Sequence, residues 1–378
     1  MKNLRETLAQ RIQKARERLG LTQQELAEQA GFSVHQIISQ IERGERDIKA
    51  WELANLAKAL RIEVADLLRA TVEPKALPTV LWREFPKEAQ IKEADFLKRC
   101  QQYHEVEKLC GIEGEYDFPQ KQVDLEKMTF EGAVKLALHV SRDFNLGSRP
   151  ALALENTLQD RFRVKVWYKD LGEDGSAAST YGDFGPAVLM NSKEAPWRRN
   201  YNFAHEVFHL ITWKSIPAER LRQDQRLWEY TEKLANVFAS NLLLPGEEIL
   251  LAFNERIKDG KISYLDLVGL AREFDVSTDA LLYRLLNLNR LNQKTVDLLR
   301  NDDTFKALDR GTMVGKWRTP PPIPERFVRL AFMAYRKGRL SRMKLAEYLD
   351  TSLIDLTEKL LEYGLDDRAD YETEIRAS

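Results

Sequence analysis

His205-Glu206-Val207-Phe208-His209 is the stretch of sequence that limits the possible folds most strongly. On a helix, two histidines four residues apart lie on one face, one turn apart, where both can bind the same metal ion. Glu206, beside the first histidine, points toward the remaining coordination position and can take a proton from a water molecule bound there. The pattern therefore predicts a zinc site with His205 and His209 as ligands and Glu206 as catalytic general base.

The residues around this motif predict a buried helix. Pro196 suits the first turn of a helix, and the positions from Phe203 to Ile211 outside the motif's polar residues are apolar. Buried histidines need polar partners, and a metal ion provides one. The alternative interpretation is a pair of hydrogen-bonded core histidines next to an unrelated glutamate.

A catalytic zinc ion needs a third protein ligand, which we expect on a second helix. Residues 228–244 predict that helix, which ends before Pro245, and its carboxylates are Glu229 and Glu232. We predict Glu232 as the third ligand and Glu229 as the alternative, although either could be a solvated carboxylate. Asn236 follows Glu232 by one turn on the same face, where its amide can hold a ligand side chain by a hydrogen bond.

These motifs resemble those of the ImmA/IrrE zinc metallopeptidases. The resemblance runs from about residue 130 to about residue 289 and depends on the histidine motif, on Glu232-Lys-Leu-Ala235-Asn236-Val-Phe238-Ala239 and on Leu242-Leu-Leu-Pro245. It implies a zincin-like fold, a Zn²⁺ cofactor, Glu232 as metal ligand and Glu206 as general base. The family usually has glycine before the second histidine, where this chain has Phe208. We expect this bulky residue to change the helix packing near the site and to narrow the cleft.

A second pattern, in residues 4–70, predicts a bundle of short helices. Glycines end the first three helices, and Thr22 with Glu25 forms a capping box at the start of the second, residues 23–30. Ser33 is predicted to cap the third, residues 34–43. The string LTQQELAEQAGFSVHQIISQIERGER, residues 21–46, resembles the XRE, or lambda-repressor-like, helix-turn-helix domains, and the resemblance covers residues 5–69.

That resemblance implies double-stranded DNA, an operator, as a partner. Short polar and amide side chains on the third helix can reach base edges, and Gln23 starts the second helix where the family contacts a phosphate. The candidate DNA contacts are Gln23, Ser33, His35, Gln36, Ser39, Gln40 and Arg43. Candidate contacts to backbone phosphates are Arg11, Lys14, Arg16, Arg18, Arg43 and Arg46.

The net charge of the helix-turn-helix domain, called the head below, affects how strongly it would bind DNA. Residues 1–70 hold 12 Lys and Arg against 10 Asp and Glu, a net charge of +2. Because such a small charge attracts DNA weakly, we expect a homodimer on a two-fold operator. The alternative is a helix-turn-helix that contacts protein instead of DNA.

The whole chain is expected to be mainly α with a small β-sheet. Its predicted parts are an all-α helix-turn-helix domain at 1–72, a linker and connector helix at 73–125, a zincin-like metallopeptidase domain at 126–300 and a C-terminal helical module at 301–378. Strands are predicted at 162–168 and 186–190, with a turn-rich segment at 172–180 between them. Prolines mark the linker, at positions 74, 78 and 86, and a boundary at 320–324. Tyr181 and Tyr201 are candidate oxyanion donors, with plain packing as the alternative for both.

Composition narrows the location of the protein. Among 378 residues there are two cysteines and a net charge of −1, which excludes a disulfide framework and a general attraction to nucleic acid or membrane. The chain has no apolar run of the length of a signal peptide or a spanning helix. We therefore expect a cytoplasmic protein without a membrane partner.

Two functions of different classes fit these patterns. The first is a DNA-binding regulatory zinc metalloendopeptidase; its resemblance to the family implies cleavage of a repressor or antitoxin-type protein in a stress or mobile-element response. The second is a transcriptional regulator whose peptidase-like domain is a non-catalytic zinc or ligand sensor. Phe208 and the low charge of the head favour the second, and the full set of zinc-site residues favours the first.

Overall fold

The computed structural model describes residues 2–68, 78–173, 175–313 and 318–368. Within these ranges the chain forms helices and one four-stranded sheet, which confirms the predicted α+β class with little β-structure. None of the described helices combines the length and the apolar composition that a bilayer crossing requires.

The first part of the chain is the predicted helical bundle. Its helices are α1 (Lys2–Arg18), α2 (Gln23–Gln29), α3 (Gln36–Glu42), α4 (Ala50–Ala59) and α5 (Val64–Leu68). The capping box is confirmed, since Glu25 N–H donates to Thr22 Oγ1 over 3.1 Å and Thr22 N–H donates to Glu25 Oε2 over 2.7 Å. Gly31, with φ at +76°, reverses the chain after α2 in a conformation that favours glycine. Residues 69 and 70, predicted at the end of the fifth helix, lie outside the described residues.

The predicted start of the third helix is wrong by two residues. Helix α3 begins at Gln36 with His35 as its N-terminal flanking residue, and Ser33 makes no capping bond. The His35 carbonyl, 3.0 Å from Ile38 N–H, accepts the first short bond of the helix. Burial of Ile38 and Ile41 against Leu26 therefore sets the start of α3, and the local capping preference of serine does not.

The bundle packs on the helix that follows it, α6 (Ala89–Leu109). Ala94 of α6 belongs to the same apolar cluster as Leu26 and Ile38. Glu63, at the start of α5, accepts hydrogen bonds from Gln102 of α6 over 2.9 Å and from Lys344 over 3.2 Å. The N-terminal bundle is thus joined to two later parts of the chain.

The segment predicted as a linker contains a strand, β1 (Val80–Trp82). It pairs antiparallel with β3 (Ala177–Gly182), and its three residues are buried. Prolines at 78 and 86 enclose this apolar triplet, so the sequence looks like a linker although the triplet completes a sheet. Likewise, β3 begins inside the segment predicted as turn-rich, because tertiary burial holds Ala177 and Ala178 extended despite alanine's weak strand preference.

The remaining strands are β2 (Lys165–Lys169) and β4 (Gly185–Asn191), which match the two predicted strands. The order across the sheet is β1-β3-β4-β2; only β2 and β4 are parallel. Both faces are covered, since Val188 and Met190 face the main apolar core whereas Ala187 and Leu189 face a second one. Because of this double burial, β4 is an unbroken buried run and does not alternate.

The helices on the sheet face that carries Val188 and Met190 form the largest apolar core, together with further helices that pack on them. They follow α6 in the chain and are α7 (Phe130–Asp143), α8 (Pro150–Asp160), α9 (Pro196–Ile211), α10 (Ala218–Gln223), α11 (Gln225–Leu243), α12 (Gly246–Asn254), α13 (Tyr264–Glu273), α14 (Thr278–Asn287), α15 (Gln293–Asn301) and α16 (Asp303–Met313). Apolar residues of α9 and α11 are fully buried at the centre of this cluster.

The second face carries α6 and the C-terminal helices α17 (Glu325–Arg336), α18 (Arg342–Tyr348) and α19 (Leu356–Leu361). Phe327 and Val328 of α17 pack in one cluster with Trp82 of β1 and Trp167 of β2. The C-terminal helices therefore share a core with the sheet that also supports α9. Where the domain boundaries lie stays a prediction.

A buried ion cluster ties these layers together. Lys165 of β2 and Glu107 of α6 are both inaccessible to solvent and lie 2.9 Å apart, and Arg326 of α17 lies 2.9 Å from the same carboxylate. Burial lowers the pKa of Lys165, an effect that the Glu107 carboxylate opposes. Glu107 is the shared acceptor, so its loss leaves a buried ammonium group without a carboxylate partner.

We predict that Glu107→Ala lowers the free energy of unfolding by about 3–5 kcal/mol, the usual cost of removing one partner of a buried pair. Chemical denaturation followed by circular dichroism measures this loss. Glu131→Ala is the matched control, because Glu131 forms an exposed pair with Lys135 and its removal should leave stability almost unchanged. Equal, small losses in both variants would show that the buried cluster does not stabilise the fold.

Candidate metal centre and the exposed face of the third helix

Two neighbouring helices present the predicted metal ligands to each other. Helix α9 begins at Pro196, as predicted, and packs on β3 and β4. Helix α11 begins at Gln225, three residues earlier than predicted, because the Asp224 side chain accepts from Leu227 N–H over 3.1 Å and caps it. Its last helical residue is Leu243, shortly before Pro245.

His205, His209 and Glu232 meet between these helices. The Nε2 atoms of the two histidines are 3.2 Å apart, and each lies close to one oxygen of Glu232, His205 at 3.2 Å and His209 at 3.0 Å. One ligand atom from each residue lies within 4.8 Å of the others, which is the spacing of groups that bind one ion. Glu229, the alternative ligand, is exposed and accepts from Gln225 over 2.8 Å, away from this cluster.

The protonation preferences of His205 and Glu232 suit cation binding, whereas the raised pKa of His209 favours its protonated form. Burial lowers the pKa of His205 to about 4, which favours the neutral imidazole that binds metals. Burial also acts to lower the pKa of His209, but the Glu232 and Glu206 carboxylates outweigh it and raise that pKa. Burial acts to raise the pKa of Glu232, yet hydrogen bonds from both histidines hold it well below the usual range. Glu232 is thus an ionised carboxylate facing two imidazoles.

Asn236 lies where the sequence places it, next to a ligand histidine. Its Oδ1 is 3.2 Å from His205 Nδ1, and this contact turns His205 Nε2 toward the cluster. Tyr201 donates from its hydroxyl to the Asn236 backbone carbonyl over 3.0 Å, which links α9 to α11. The oxyanion role considered for Tyr181 and Tyr201 stays a prediction.

Glu206 is the least satisfied polar group beside the cluster. Its side chain is 1% exposed, and neither carboxylate oxygen has a hydrogen-bond partner among the described residues. Burial raises its pKa to about 7; the Ser179 hydroxyl of β3 lies nearby and lowers the pKa, without completing a hydrogen bond. A buried carboxylate without partners is costly, so its persistence beside two histidines points to a function in the site.

Two aromatic residues near the histidines were not predicted as part of the site. The Trp228 ring stacks on His209, with ring centroids 5.5 Å apart and planes 13° from parallel. Because Trp228 precedes Glu232 by four residues on α11, helical spacing could have identified it. Trp213 lines a small pocket beside His209 together with Leu81 of β1, so the missed strand also reaches this site.

Phe208 is part of the core. It has no exposed surface, and its ring lies 5.5 Å from that of Phe238 on α11 and edge-on to His209. The expectation that it changes packing near the site agrees with these contacts. The expectation that it narrows the cleft stays a prediction.

The outward residues of α3 and of the segment just before it form an exposed face. Ser33, His35, Gln36 and Gln40 are exposed, Ser39 is partly exposed, and the Arg43 side chain is 59% exposed in a surface pair with Glu45. Gln23 differs, because its amide donates to Glu42 over 2.8 Å within the bundle. Whether these residues contact DNA stays a prediction.

Several arginines predicted to contact phosphates are already held within the bundle. Arg16 forms a 2.7 Å ion pair with Glu42 and is only 12% exposed, so it stabilises the bundle instead. Arg46 pairs with Glu52 over 2.8 Å, and Arg11 donates to the Leu67 carbonyl over 2.9 Å. The sequence could not show the pairing of Arg16 and Arg11, because their partners lie 26 and 56 residues away.

We predict that Glu232→Ala lowers the zinc content of the purified protein, because the mutation removes the carboxylate that contacts both histidines. Glu229→Ala, on the same helix, should keep the wild-type content. Elemental analysis after dialysis against a stated zinc concentration measures both variants. A wild-type zinc content in Glu232→Ala would exclude Glu232 as a ligand.

The chain matches known proteins in two separate regions. Residues 159–286 match the family model of the M78 peptidases, described as the IrrE N-terminal-like domain, and residues 12–67 match a helix-turn-helix model. No curated protein matches. Among solved structures, a Mycobacterium tuberculosis transcriptional regulator is similar with 20% identity and a TM-score of 0.32, over 51% of this chain and 53% of that chain. The aligned part is thus about half the length of either chain. The two family matches show that the chain joins a helix-turn-helix domain to an IrrE N-terminal-like domain of the ImmA/IrrE type.

Proposed function

We propose that this protein is a DNA-binding regulatory zinc metalloendopeptidase. The observation that carries the proposal is the position of Glu206, a buried carboxylate without a hydrogen-bond partner, beside the cluster of His205, His209 and Glu232. An ordinary core rarely keeps such a carboxylate, whereas a hydrolytic metal site needs a base in this place.

The donor set fits zinc. Two imidazole nitrogens and one carboxylate oxygen are the protein ligands of many catalytic zinc sites, which keep a fourth position open. In this chain they would be His205 Nε2, His209 Nε2 and one oxygen of Glu232. A bound Zn²⁺ would supply a Lewis acid that polarises a carbonyl and lowers the pKa of a water molecule.

Residues around the zinc ligands would perform the remaining steps of the reaction. Glu206, whose pKa burial raises to about 7, would accept the proton of the attacking water and deliver it to the leaving amine of the cleaved peptide bond. Asn236 and Trp228 would fix the imidazole rings of His205 and His209 by a hydrogen bond and by stacking. The dry surroundings of the cluster would strengthen each of these electrostatic interactions.

The substrate we propose is a repressor or antitoxin-type protein, cleaved in a stress or mobile-element response. The fusion of a helix-turn-helix with a peptidase-type domain supports this choice, because binding to an operator would bring the site close to proteins bound there. A homodimer on a two-fold operator would compensate for the net charge of +2 on residues 1–70.

A second candidate is a transcriptional regulator whose zinc site senses a metal or ligand without catalysis. The closed state of the site favours it: His205 has no exposed surface and Glu206 is 1% exposed. A peptide bond could reach these residues only after the cleft opens. A cleavage assay separates the two candidates, since both would bind DNA.

We predict that Glu206→Gln keeps the fold and the zinc content but abolishes cleavage, because the amide cannot accept the proton. The purified protein is incubated with zinc and with the proteins encoded by neighbouring genes, and fragments are identified by mass spectrometry. Glu229→Gln is the control and should cleave like the wild type. Cleavage that persists in Glu206→Gln would refute the proposed base, and cleavage absent from the wild type would favour the sensor.

We also predict that Gln36→Ala and Gln40→Ala weaken binding to an operator fragment by about tenfold each, the loss of one good base contact. The fragment is selected from random DNA with the wild-type protein, and binding is measured by fluorescence anisotropy at fixed salt. Gln29→Ala, an exposed change on α2, should bind normally. Unchanged binding in both α3 variants would mean that α3 does not recognise the bases.

A further inference from the structure

A cavity of about 1180 Å³, including the part open to solvent, lies where α8, β2, the start of α9 and residues 318–329 meet. It lies apart from the metal cluster, along the same helix α9. Arg199 of α9, Arg318, and Arg326 and Arg329 of α17 line it. The proposed peptidase and DNA-binding activities use none of these residues.

Arg199 places a buried guanidinium group at the wall of the cavity. Its side chain is mostly buried, and it donates to the backbone carbonyls of Glu194 over 2.6 Å and of Arg318. Within the described ranges, no carboxylate forms an ion pair with it, and burial lowers its pKa. A buried guanidinium held by neutral carbonyls is stabilised by an anion that enters the cavity.

Two further guanidinium groups are free to contact the same ligand. Arg318 and Arg329 are exposed, and their guanidinium groups have no hydrogen-bond or ion-pair partner among the described residues. Arg326 is different, because its guanidinium is bound to Glu107 in the buried ion cluster. Arg199, Arg318 and Arg329 therefore remain for recognition of a ligand.

The acidic residues of the lining form no ion pair with these three groups in the described part of the chain. Glu155 accepts from the Tyr168 hydroxyl over 2.7 Å and from Gln159 over 3.0 Å. Asp160 and Glu325 are exposed. Arg199, Arg318 and Arg329 thus keep guanidinium N–H groups that no carboxylate of the described residues pairs with, and the oxygens of a bound oxyanion can accept hydrogen bonds from them.

We propose that this cavity is a binding site for a small-molecule oxyanion, with a phosphate or carboxylate group held by Arg199, Arg318 and Arg329. Planar guanidinium groups bind either oxyanion through paired hydrogen bonds. The positive ends of α9 and α17 also face the cavity, through Pro196 and Pro324, and add to the attraction. The ligand would connect the C-terminal helices to α9, the helix that carries His205 and His209.

Isothermal titration calorimetry on the full-length chain at fixed ionic strength tests this site, with inorganic pyrophosphate as the phosphate probe and citrate as the carboxylate probe. We expect saturable binding of one molecule per chain for at least one probe. The probe that binds more tightly identifies the preferred oxyanion. If neither probe binds saturably at millimolar concentration, the proposal is wrong.

Matched variants separate this cavity from the metal cluster, which both probes could also reach if it holds an ion. Arg329→Gln should raise the dissociation constant by about tenfold, and Arg318→Gln with Arg329→Gln should abolish binding. Both side chains are exposed and unpartnered, so circular dichroism should show an unchanged fold. Arg310→Gln, on α16, is the control and should bind like the wild type. Wild-type affinity in the double variant would place the anion elsewhere and overturn the proposal.

Discussion

The packing of α9 between the sheet and α11 is the constraint on which the site depends. Most of this helix is buried, so the polar residues that it carries lie in an apolar interior and need partners there. Two of them find partners in Glu232 and Asn236 on α11. Glu206 finds none, and it faces β3 near Ser179. The same burial that fixes the cluster also gives Glu206 the pKa of a proton acceptor near neutral pH.

The sheet connects α9 to the rest of the chain, because helices pack on both of its faces. One face supports α9, and the other supports α6 and α17, whose charged residues meet at Lys165 of β2. Glu63 then connects the N-terminal bundle to α6 and to Lys344 of α18. The cluster of His205, His209 and Glu232, the C-terminal helices and the N-terminal bundle are therefore linked through one set of buried layers.

Local sequence patterns were enough to predict much of the fold and part of the candidate site. The spacing of His205 and His209, the capping box of Thr22 and Glu25, and the helix-ending glycines all depend on residues within one or two turns of each other, so they are visible in the sequence. The predictions failed where a distant contact decided the outcome. Strand β1 was missed because its pairing partner lies about a hundred residues away, and Arg16 was assigned to DNA because its partner Glu42 lies on another helix.

The sequence by itself determined which chemical groups the chain can bring together: two imidazoles one turn apart, a neighbouring carboxylate, and a second helix with Glu232 and Asn236 on one face. Only the tertiary structure showed that Glu232 lies beside the histidines and Glu229 does not, that Phe208 is buried in the core, and that Glu206 has no hydrogen-bond partner among the described residues. The physical reason is that helical periodicity fixes which residues share a face. Burial and hydrogen-bond satisfaction depend on what packs against that face, and here those partners come from β3, α11 and the aromatic side chains of Trp228 and Phe238.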